Sequence, residues 1–419
     1  MHDHVDILNQ TLKLPCGVVI PNRLAKVAMS EQLANLKNSP TEKLIHLYQQ
    51  WALGGAGLII TGNVMINSTA LITSRDIAIQ DERDLLILQK WADAGQINGG
   101  QMWMQINHPG RQSPRFLSPH PVAPSSIPMN VAKKAFAKPI SLTATEIENL
   151  VEDYALTAEI AKKAGFTGVQ IHAAHGYLIS QFLSPLTNQR DDAWGGTPEK
   201  RMRFLVETFR AVRNAVGKNF PISIKLNTAD FQRGGFSEQE SMQVVQKLAI
   251  EGVDLIEFSG GSYEKLVMVG VESFPQKQST LQREAYFLEY TCKVRNLVST
   301  PLMLTGGFRT SRAMVLAIVE GSVDMIGLGR PLAVDPYLPT KIFKGEATKS
   351  QLQPLKTIFL TKDQLGFIEL FWYTQQIQRI ASVKKPAQNR SPLIALVIAL
   401  STICADIFYL TMRRLIKKP

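Results

Sequence analysis

The feature that most constrains this chain is an alternation, over its first 345 residues, of short apolar runs with longer segments of helical periodicity. Apolar runs this short are typical of strands buried on both faces. The runs are Leu24–Ala28, Leu58–Thr61, Met102–Ile106, Gly168–His172, Ile222–Leu226, Leu255–Phe258, Leu302–Thr305 and Met325–Gly327. Eight strand–helix alternations predict an α/β fold of the TIM (β/α)8 barrel type and disfavour an open doubly wound sheet. No Gly-x-Gly-x-x-Gly follows the first run, which also argues against a dinucleotide-binding sheet.

The helices between these runs have recognisable starts and stops. The segment Thr145–Ala164 places apolar residues from Ile147 to Ala161 at helical spacing and stops at Gly165. The same reasoning predicts helices over Thr41–Leu53, Pro198–Val216, Ser237–Ile250 and Ser311–Glu320. Each is suited to a crossover between two parallel strands.

One long connection, Asn107–Leu142, interrupts this rhythm after the third strand and is rich in proline. A loop of that length inside a compact domain is usually functional. After the third strand it should lie over the carboxyl-terminal mouth of the barrel, where barrel enzymes keep their sites. We interpret it as a lid, with a packed excursion that has no gating role as the alternative.

The amino-acid composition limits which cellular compartment and which binding partners can be predicted for the chain. The three cysteines are far apart and form no metal-binding spacing, which excludes a disulfide framework and fits a reducing, cytoplasmic setting. The N-terminus has no basic start followed by an apolar stretch, so no secretory signal is predicted. Much of the net charge of +11 lies beyond residue 383, which leaves a mildly basic body and makes nucleic-acid binding a poor interpretation.

The last 74 residues depart from the barrel pattern. We divide the chain into a barrel over 1–345, a helical extension over 346–383 that contains a predicted helix at Leu355–Ile380, and a tail over 384–419. In the tail a basic linker precedes Leu393–Leu410, an apolar stretch of 18 residues with one charge, Asp406. That length is near the lower limit for crossing a bilayer, and the charge is costly there. Two interpretations stay open: residues 391–419 anchor the chain to a membrane or lie on its surface, or they dock on the barrel or on a partner subunit.

The strongest candidate site follows the fourth predicted strand, in the sequence from Gln170 to Tyr177. His172 and His175 are three residues apart and can converge on one small acceptor, where imidazole N–H groups hold and polarise a carbonyl oxygen. The phenol of Tyr177 can deliver a proton to a neighbouring carbon. Histidines satisfied within the core are one alternative. A metal site is the other, but no nearby Asp/Glu cluster clearly offers a third ligand, so no metal is predicted.

The stretch Gly165–Gly196 resembles the signature of the old yellow enzyme family of NADH:flavin oxidoreductases. Further motifs resemble that family in the same order along the chain, so that the resemblance covers roughly residues 5–345. They are Pro21–Arg23 with Ala28–Ser30, Gly54–Gly62, Gln105–Arg111 with Pro121–Ser125, Thr305–Arg309 and Gly327–Pro331. One branch of this family adds a four-cysteine iron–sulfur motif after the barrel; only Cys404 lies there in this chain, so FMN alone is expected.

The resemblance implies FMN at the barrel mouth. The phosphate is expected on backbone N–H groups after the last two strands, where barrels commonly bind phosphate. Simple turn geometry is the alternative reason for the glycines there. The isoalloxazine ring is expected near the first strand, with Gln105 reading the pyrimidine edge and Lys225 placing a cation beside the flavin; an exposed lysine at a strand end is the alternative for Lys225. The full set of expected cofactor contacts is Ala28, Met29, Ser30, Gly62, Gln105, Lys225, Gly306, Gly307, Gly329 and Arg330.

The resemblance also implies an activity. Hydride passes from NADH or NADPH through FMN to the C=C of an α,β-unsaturated carbonyl compound, while His172 and His175 hold the carbonyl and Tyr177 gives the proton. An NADH oxidase or a quinone or nitro reductase would use the same site, and sequence does not separate them. Two further alternatives are a flavin-free scaffold barrel and a barrel aldolase with Lys225 as Schiff-base lysine. The natural acceptor, the choice of nicotinamide and the oligomeric state, a homo-oligomer included, are not fixed by the sequence.

Overall fold

The computed structural model describes residues 5–264, 284–352, 355 and 362–416. At its centre eight parallel strands form a closed barrel in which each strand pairs with its neighbours in the sequence, and this confirms the predicted fold. The strands are β1 (Leu24–Lys26), β2 (Leu58–Met65), β3 (Gln101–Asn107), β4 (Gly168–Ala173), β5 (Ile222–Asn227), β6 (Leu255–Ser259), β7 (Leu302–Thr305) and β8 (Met325–Leu328).

Helices surround the barrel, and all five helices predicted above are present within a residue of their expected ends. Capping boxes start two of them, with Thr143 and Glu146 at one and Ser237 and Glu240 at the other. The helices are α1 (Glu42–Leu53), α2 (Leu85–Gln96), α3 (Ala144–Lys163), α4 (Leu178–Leu183), α5 (Pro198–Val216), α6 (Glu238–Glu251), α7 (Leu288–Arg295), α8 (Ser311–Val319), α9 (Arg330–Val334), α10 (Leu338–Phe343), α11 (Lys362–Ala381) and α12 (Pro392–Ile416).

Two strands end more than one residue away from their predicted ends. Strand β1 ends at Lys26, two residues early, because the chain then turns away to line the barrel mouth. Strand β2 continues four residues past Thr61, and its register with β3 shifts between Ile60 and Asn63. This irregularity is a β-bulge, which re-aims the backbone of the residues inside it.

The side chains inside the barrel are apolar near the amino ends of the strands and polar closer to the carboxyl ends. Inward side chains near the amino ends of the strands form an apolar plug that the N-terminal hairpin of Leu12–Lys13 and Val19–Ile20 closes from below. Side chains alternate between faces along a strand, so the next inward residue after Trp103 is Gln105, and after Leu255 it is Glu257. A buried polar layer therefore lies above the apolar plug.

Above the polar layer, the predicted lid and the C-terminal extension cover the mouth. The connection Asn107–Leu142 contributes Gln112, Pro114, Phe116 and Phe136 to the cavity there, which confirms its position; its gating role stays a prediction. Helices α11 and α12 pack on each other and also border the cavity. The predicted helix Leu355–Ile380 is present from residue 362, and its first part lies largely outside the described residues.

Candidate active site

A cavity of about 520 Å³ lies at the carboxyl ends of the barrel strands. A volume of this size is within the range of cofactor and small-molecule sites. All but one of the predicted site residues line it: Ala28, Met29, Ser30, Gln105, His172, His175, Tyr177, Lys225, Gly306, Gly307, Gly329 and Arg330. The fold thus brings together residues from the first barrel strand to the last.

His172 is the penultimate residue of the fully buried strand β4, and its ring is held by the backbone. The Nδ1 atom accepts a hydrogen bond from the backbone N–H of Ala174 at 3.2 Å. Burial, with smaller contributions from His175 and Lys225, lowers the pKa of His172 well below its usual value. The imidazole is therefore neutral at physiological pH, and because Nδ1 accepts, the single ring proton sits on Nε2 as a donor.

His175 is fixed in a different way. Its backbone is left-handed, with φ of 61°, and its N–H donates to Oδ1 of Asn227 at 3.1 Å. The Nε2 atom lies 2.7 Å from the hydroxyl oxygen of Ser259, and burial and then Lys225 lower the pKa of the ring well below its usual value. The two histidine rings are 5.1 Å apart between centroids in an edge-to-face arrangement, so they converge as the sequence predicted.

Tyr177 completes the predicted group, with its ring 4.8 Å from that of His172 between centroids. The phenol oxygen is 3.2 Å from the phenol oxygen of Tyr263, a residue that the sequence reasoning missed. Burial, followed by the proximity of Tyr263 and Asp76, raises the pKa of Tyr177 well above its usual value. A protonated phenol beside two neutral imidazoles is a proton donor in the correct state at neutral pH.

Lys225 is buried and paired, which excludes the alternative of an exposed lysine at a strand end. Its Nζ atom lies 2.8 Å from Oε1 of Glu257, and the two side chains are 4% and 0% exposed. The same carboxylate accepts hydrogen bonds from Thr305 at 2.7 Å and from Gln170 at 2.8 Å. The cation expected beside the flavin is therefore present, but a buried carboxylate offsets its charge.

Gly62 is the one predicted residue that does not line the cavity. It lies in the bulge of β2, where its N–H donates to Oε1 of Glu31 at 3.0 Å and to the phenol oxygen of Tyr48 at 2.9 Å. Glu31 also pairs with the buried Lys26, 3.6 Å from its Nζ atom. This network holds the two ends of the segment Ala28–Ser30, which forms one wall of the cavity. Gly62 therefore does not contact the cavity but belongs to the network that supports this wall.

The residues after β7 and β8 form the part of the cavity expected to hold a phosphate. Gly306 and Gly307 have φ of 116° and 96°, so turn geometry alone requires glycine at both positions. At Gly329 an added Cβ would meet Val27 only at an ordinary 3.5 Å, so packing does not require glycine there. The free space next to the Gly329 backbone lies beside the guanidinium of Arg330, and this combination fits a phosphate group. Arg330 also pairs with Glu369 of α11 at 3.3 Å.

A metal centre finds no support in the described part of the chain, which contains no group of three or more His, Cys, Asp or Glu residues placed to hold an ion. The histidine pair thus lacks a third ligand among those residues. The fit to FMN is better: a cavity of suitable volume combines an apolar wall, amide and imidazole groups on its floor and a cation with open backbone at one end. These groups match the ring, the pyrimidine edge and the phosphate of a flavin nucleotide.

Helix α12 forms a wall of the cavity that sequence reasoning did not assign. Its Ile398, Thr402 and Ile403 line the space, and the carboxylate of Asp406 accepts hydrogen bonds from Ser74 and Arg75 in the connection after β2. The tail is thus a helix docked on the barrel, one of the two interpretations given above. Among the described residues, none of the helices combines the length and apolar character that crossing a bilayer requires.

The chain matches the NADH:flavin oxidoreductase / NADH oxidase family over residues 12–349. It is 37% identical over 362 residues to the NADH-dependent flavin oxidoreductase iliE of Hypocrea jecorina (strain QM6a), covering 81% of this chain and 90% of that protein. An old yellow enzyme homologue from Zymomonas mobilis has a similar structure, with a TM-score of 0.70, 26% identity and coverage of 82% and 94% of the two chains. Morphinone reductase gives a TM-score of 0.68 at 25% identity, with coverage of 82% and 90%.

Proposed function

This chain is a member of the NADH:flavin oxidoreductase / NADH oxidase family, and from that premise we propose that it reduces the C=C bond of α,β-unsaturated carbonyl compounds with NADH as electron donor. Family membership confirms three predictions from the sequence: an oxidoreductase, a flavin cofactor and a nicotinamide co-substrate. We choose NADH over NADPH because the relative from Hypocrea jecorina is an NADH-dependent flavin oxidoreductase.

The observation that carries the proposed reaction is the packing of His172, His175 and Tyr177 against one another at the cavity, with the His172 ring centroid 5.1 Å from that of His175 and 4.8 Å from that of Tyr177. His172 offers Nε2–H as a donor that can hold and polarise a carbonyl oxygen without itself losing a proton. His175 does the same from Nδ1 when the Ser259 hydroxyl donates to its Nε2 atom. The two histidines therefore act as a pair of neutral donors.

Tyr177 is the group that we assign to protonation of the α-carbon of the acceptor. Its phenol keeps its proton at neutral pH and lies beside the His172 ring. The phenol of Tyr263, 3.2 Å away, can donate to the Tyr177 oxygen and stabilise the phenolate that forms when the proton leaves. FMN, when bound, supplies the hydride chemistry that links NADH to the acceptor.

The test is a comparison of half-reactions in the Tyr177→Phe variant. General acids typically contribute about 10²–10⁴-fold to a rate, so acceptor reduction should slow by that order. Reduction of the bound flavin by NADH should stay within about threefold of wild type, since no proton from Tyr177 is needed there. Stopped-flow absorbance follows both steps with 2-cyclohexenone as acceptor, and wild-type rates for both steps in the variant would overturn the assignment.

A second candidate function is that of an NADH oxidase or quinone reductase, and the family description that includes NADH oxidases favours keeping it. Electron transfer to oxygen or to a quinone needs no proton delivered to carbon. The Tyr177→Phe variant should then consume NADH in air at the wild-type rate while losing enone reduction. Full retention of every acceptor activity would leave the oxidase as the better description.

A further inference from the structure

A chain of hydrogen bonds runs beneath the cavity from strand β3 through β4 to β6. Gln105 on β3 donates from Nε2 to Oε1 of Gln170 on β4 at 2.8 Å. Gln170 in turn donates from Nε2 to Oε2 of Glu257 on β6 at 2.8 Å. All three side chains are at most 1% exposed, so the bonds lie in the buried polar layer. Gln105 borders the cavity, whereas the other two lie below it.

The direction of these bonds is set at Glu257. A carboxylate only accepts, so the group that Gln170 turns toward it must be the NH2 end of the amide. Gln170 is then obliged to present its carbonyl oxygen on the opposite side, where Gln105 meets it. Gln105 must use its own NH2 group for that contact, which leaves its Oε1 atom as the end directed away from Gln170.

Two donors face the other carboxylate oxygen of Glu257. Lys225 lies 2.8 Å from Oε1, and the hydroxyl of Thr305 donates to the same oxygen at 2.7 Å. The ammonium group and the hydroxyl both face Oε1, which leaves Oε2 as the acceptor for Gln170. Ser223 also lies within 3.2 Å of Nε2 of Gln170, but a hydroxyl can donate or accept and so cannot set the direction.

We propose that Glu257 and Gln170 are positioning residues that fix the Gln105 amide so that it offers a hydrogen-bond acceptor to the pyrimidine edge of the flavin. That edge carries one N–H between two carbonyl groups, and an acceptor in a fixed orientation distinguishes the N–H from its neighbours. With the amide reversed, an NH2 group would face the N–H and the hydrogen bond would be lost. The relay goes beyond the proposed reaction, since it concerns flavin binding and no acceptor.

The proposal is tested by titrating FMN into apoprotein and following the quenching of flavin fluorescence. Glu257→Gln reverses the relay, because the amide introduced there must give its oxygen to Lys225 and Thr305 and its NH2 group to Gln170. FMN should then bind about tenfold more weakly. Gln170→Met breaks the relay without changing any charge and should weaken FMN binding about three- to fivefold. Ser223→Ala is the matched control in the same layer and should stay within about twofold.

The decisive variant combines Glu257→Gln with Gln170→Glu. The carboxylate then stands on β4 in place of β6, where it accepts from the amide introduced on β6 and from Gln105, and the net charge returns to that of the wild type. FMN affinity and the visible spectrum of the bound flavin should recover to within about twofold of wild type. A residue that merely supported the fold would not be rescued in this way.

Either of two results overturns the relay. One is FMN affinity within about twofold of wild type in both Glu257→Gln and Gln170→Met. The other is a double variant that binds no better than Glu257→Gln. Circular dichroism of the apoproteins checks folding, and if Glu257→Gln is unfolded, the neutral Gln170→Met variant decides alone. Because the readout is FMN affinity, its failure is distinct from a failure of the Tyr177 assignment.

Discussion

The floor and the roof of the cavity are built in different ways. The floor consists of side chains on barrel strands, such as Gln105 and Lys225, which are almost fully buried and belong to one hydrogen-bonded network. The roof includes helix α12, whose outer side is apolar and open, with Val397 66% exposed and Phe408 69% exposed. Removing one member of a buried polar network lowers the stability of a protein strongly, whereas removing one partner of a partly exposed ion pair lowers it only slightly. We therefore expect substitutions in the floor to cost more stability than substitutions in the roof.

The largest effect is expected for Lys225→Met in the floor. Removing one partner of a buried ion pair leaves the carboxylate of Glu257 uncompensated, and such changes cost about 3–5 kcal/mol. The free energy of unfolding, from urea denaturation of the flavin-free protein, measures the loss. Lys225→Arg keeps the charge and is the control. A loss below about 1 kcal/mol for the methionine variant would mean that the floor is no more cooperative than the surface.

An intermediate, pH-dependent effect is expected at His108, where β3 passes into the connection that helps form the roof. Burial lowers the pKa of His108 to about 4, and its Nδ1 atom accepts from the N–H of Gly110 at 3.0 Å. As the pH falls from about 6.5 toward 4, the unfolded chain binds a proton that the folded chain does not, so the wild type loses stability in that window. His108→Gln removes this contribution.

Between about pH 7 and pH 5 the wild type should therefore lose on the order of 1–2 kcal/mol more than the His108→Gln variant. Urea denaturation at both pH values measures the difference. If the two proteins lose the same stability between these pH values, then the His108 imidazole takes up its proton as readily in the folded chain as in the unfolded one. The junction would then be accessible to solvent, like the outer side of the roof.

The smallest effect is expected for Asp406→Asn in the roof. Its partner Arg75 is 35% exposed at the side chain, so solvent screens the pair and global stability should change by less than about 1 kcal/mol. Local opening should still increase, because this pair and the bond to Ser74 hold α12 on the barrel. Limited trypsin digestion after Lys384 should accelerate severalfold. Val397→Ser, on the exposed side of the same helix, is the control. If trypsin digests the two variants at equal rates, Asp406 does not hold α12 on the barrel.

The same division explains what could be predicted from the sequence. Barrel strands buried on both faces produce short apolar runs, and all eight were found in this way. Short-range motifs at strand ends, such as the one from His172 to Tyr177, placed one side of the cavity because barrel topology brings every strand end to one mouth. The structure brings these residues together as expected, whereas their roles in catalysis stay predictions.

The structural features that were not predicted from the sequence depend on contacts between residues that are far apart along the chain. The partners of Asp406 lie more than 300 residues earlier, so its burial could not be inferred from the apolar stretch around it. A buried carboxylate in β6 was visible as Glu257 between Ile256 and Phe258, and that pattern could have indicated a partner for Lys225. The bulge that turns Gly62 away from the cavity leaves no local signal, since it arises from the register between β2 and β3.

The position of α12 after the barrel in the sequence has a consequence for the order in which the protein is made. Translation delivers all eight barrel strands before the helix that carries Ile398, Thr402 and Asp406. A nascent barrel can therefore complete its floor while its top is still open to the surrounding solution. Loading with a nucleotide-sized cofactor has its widest opportunity in that interval, and helix α12 then closes the wall over whatever has been bound.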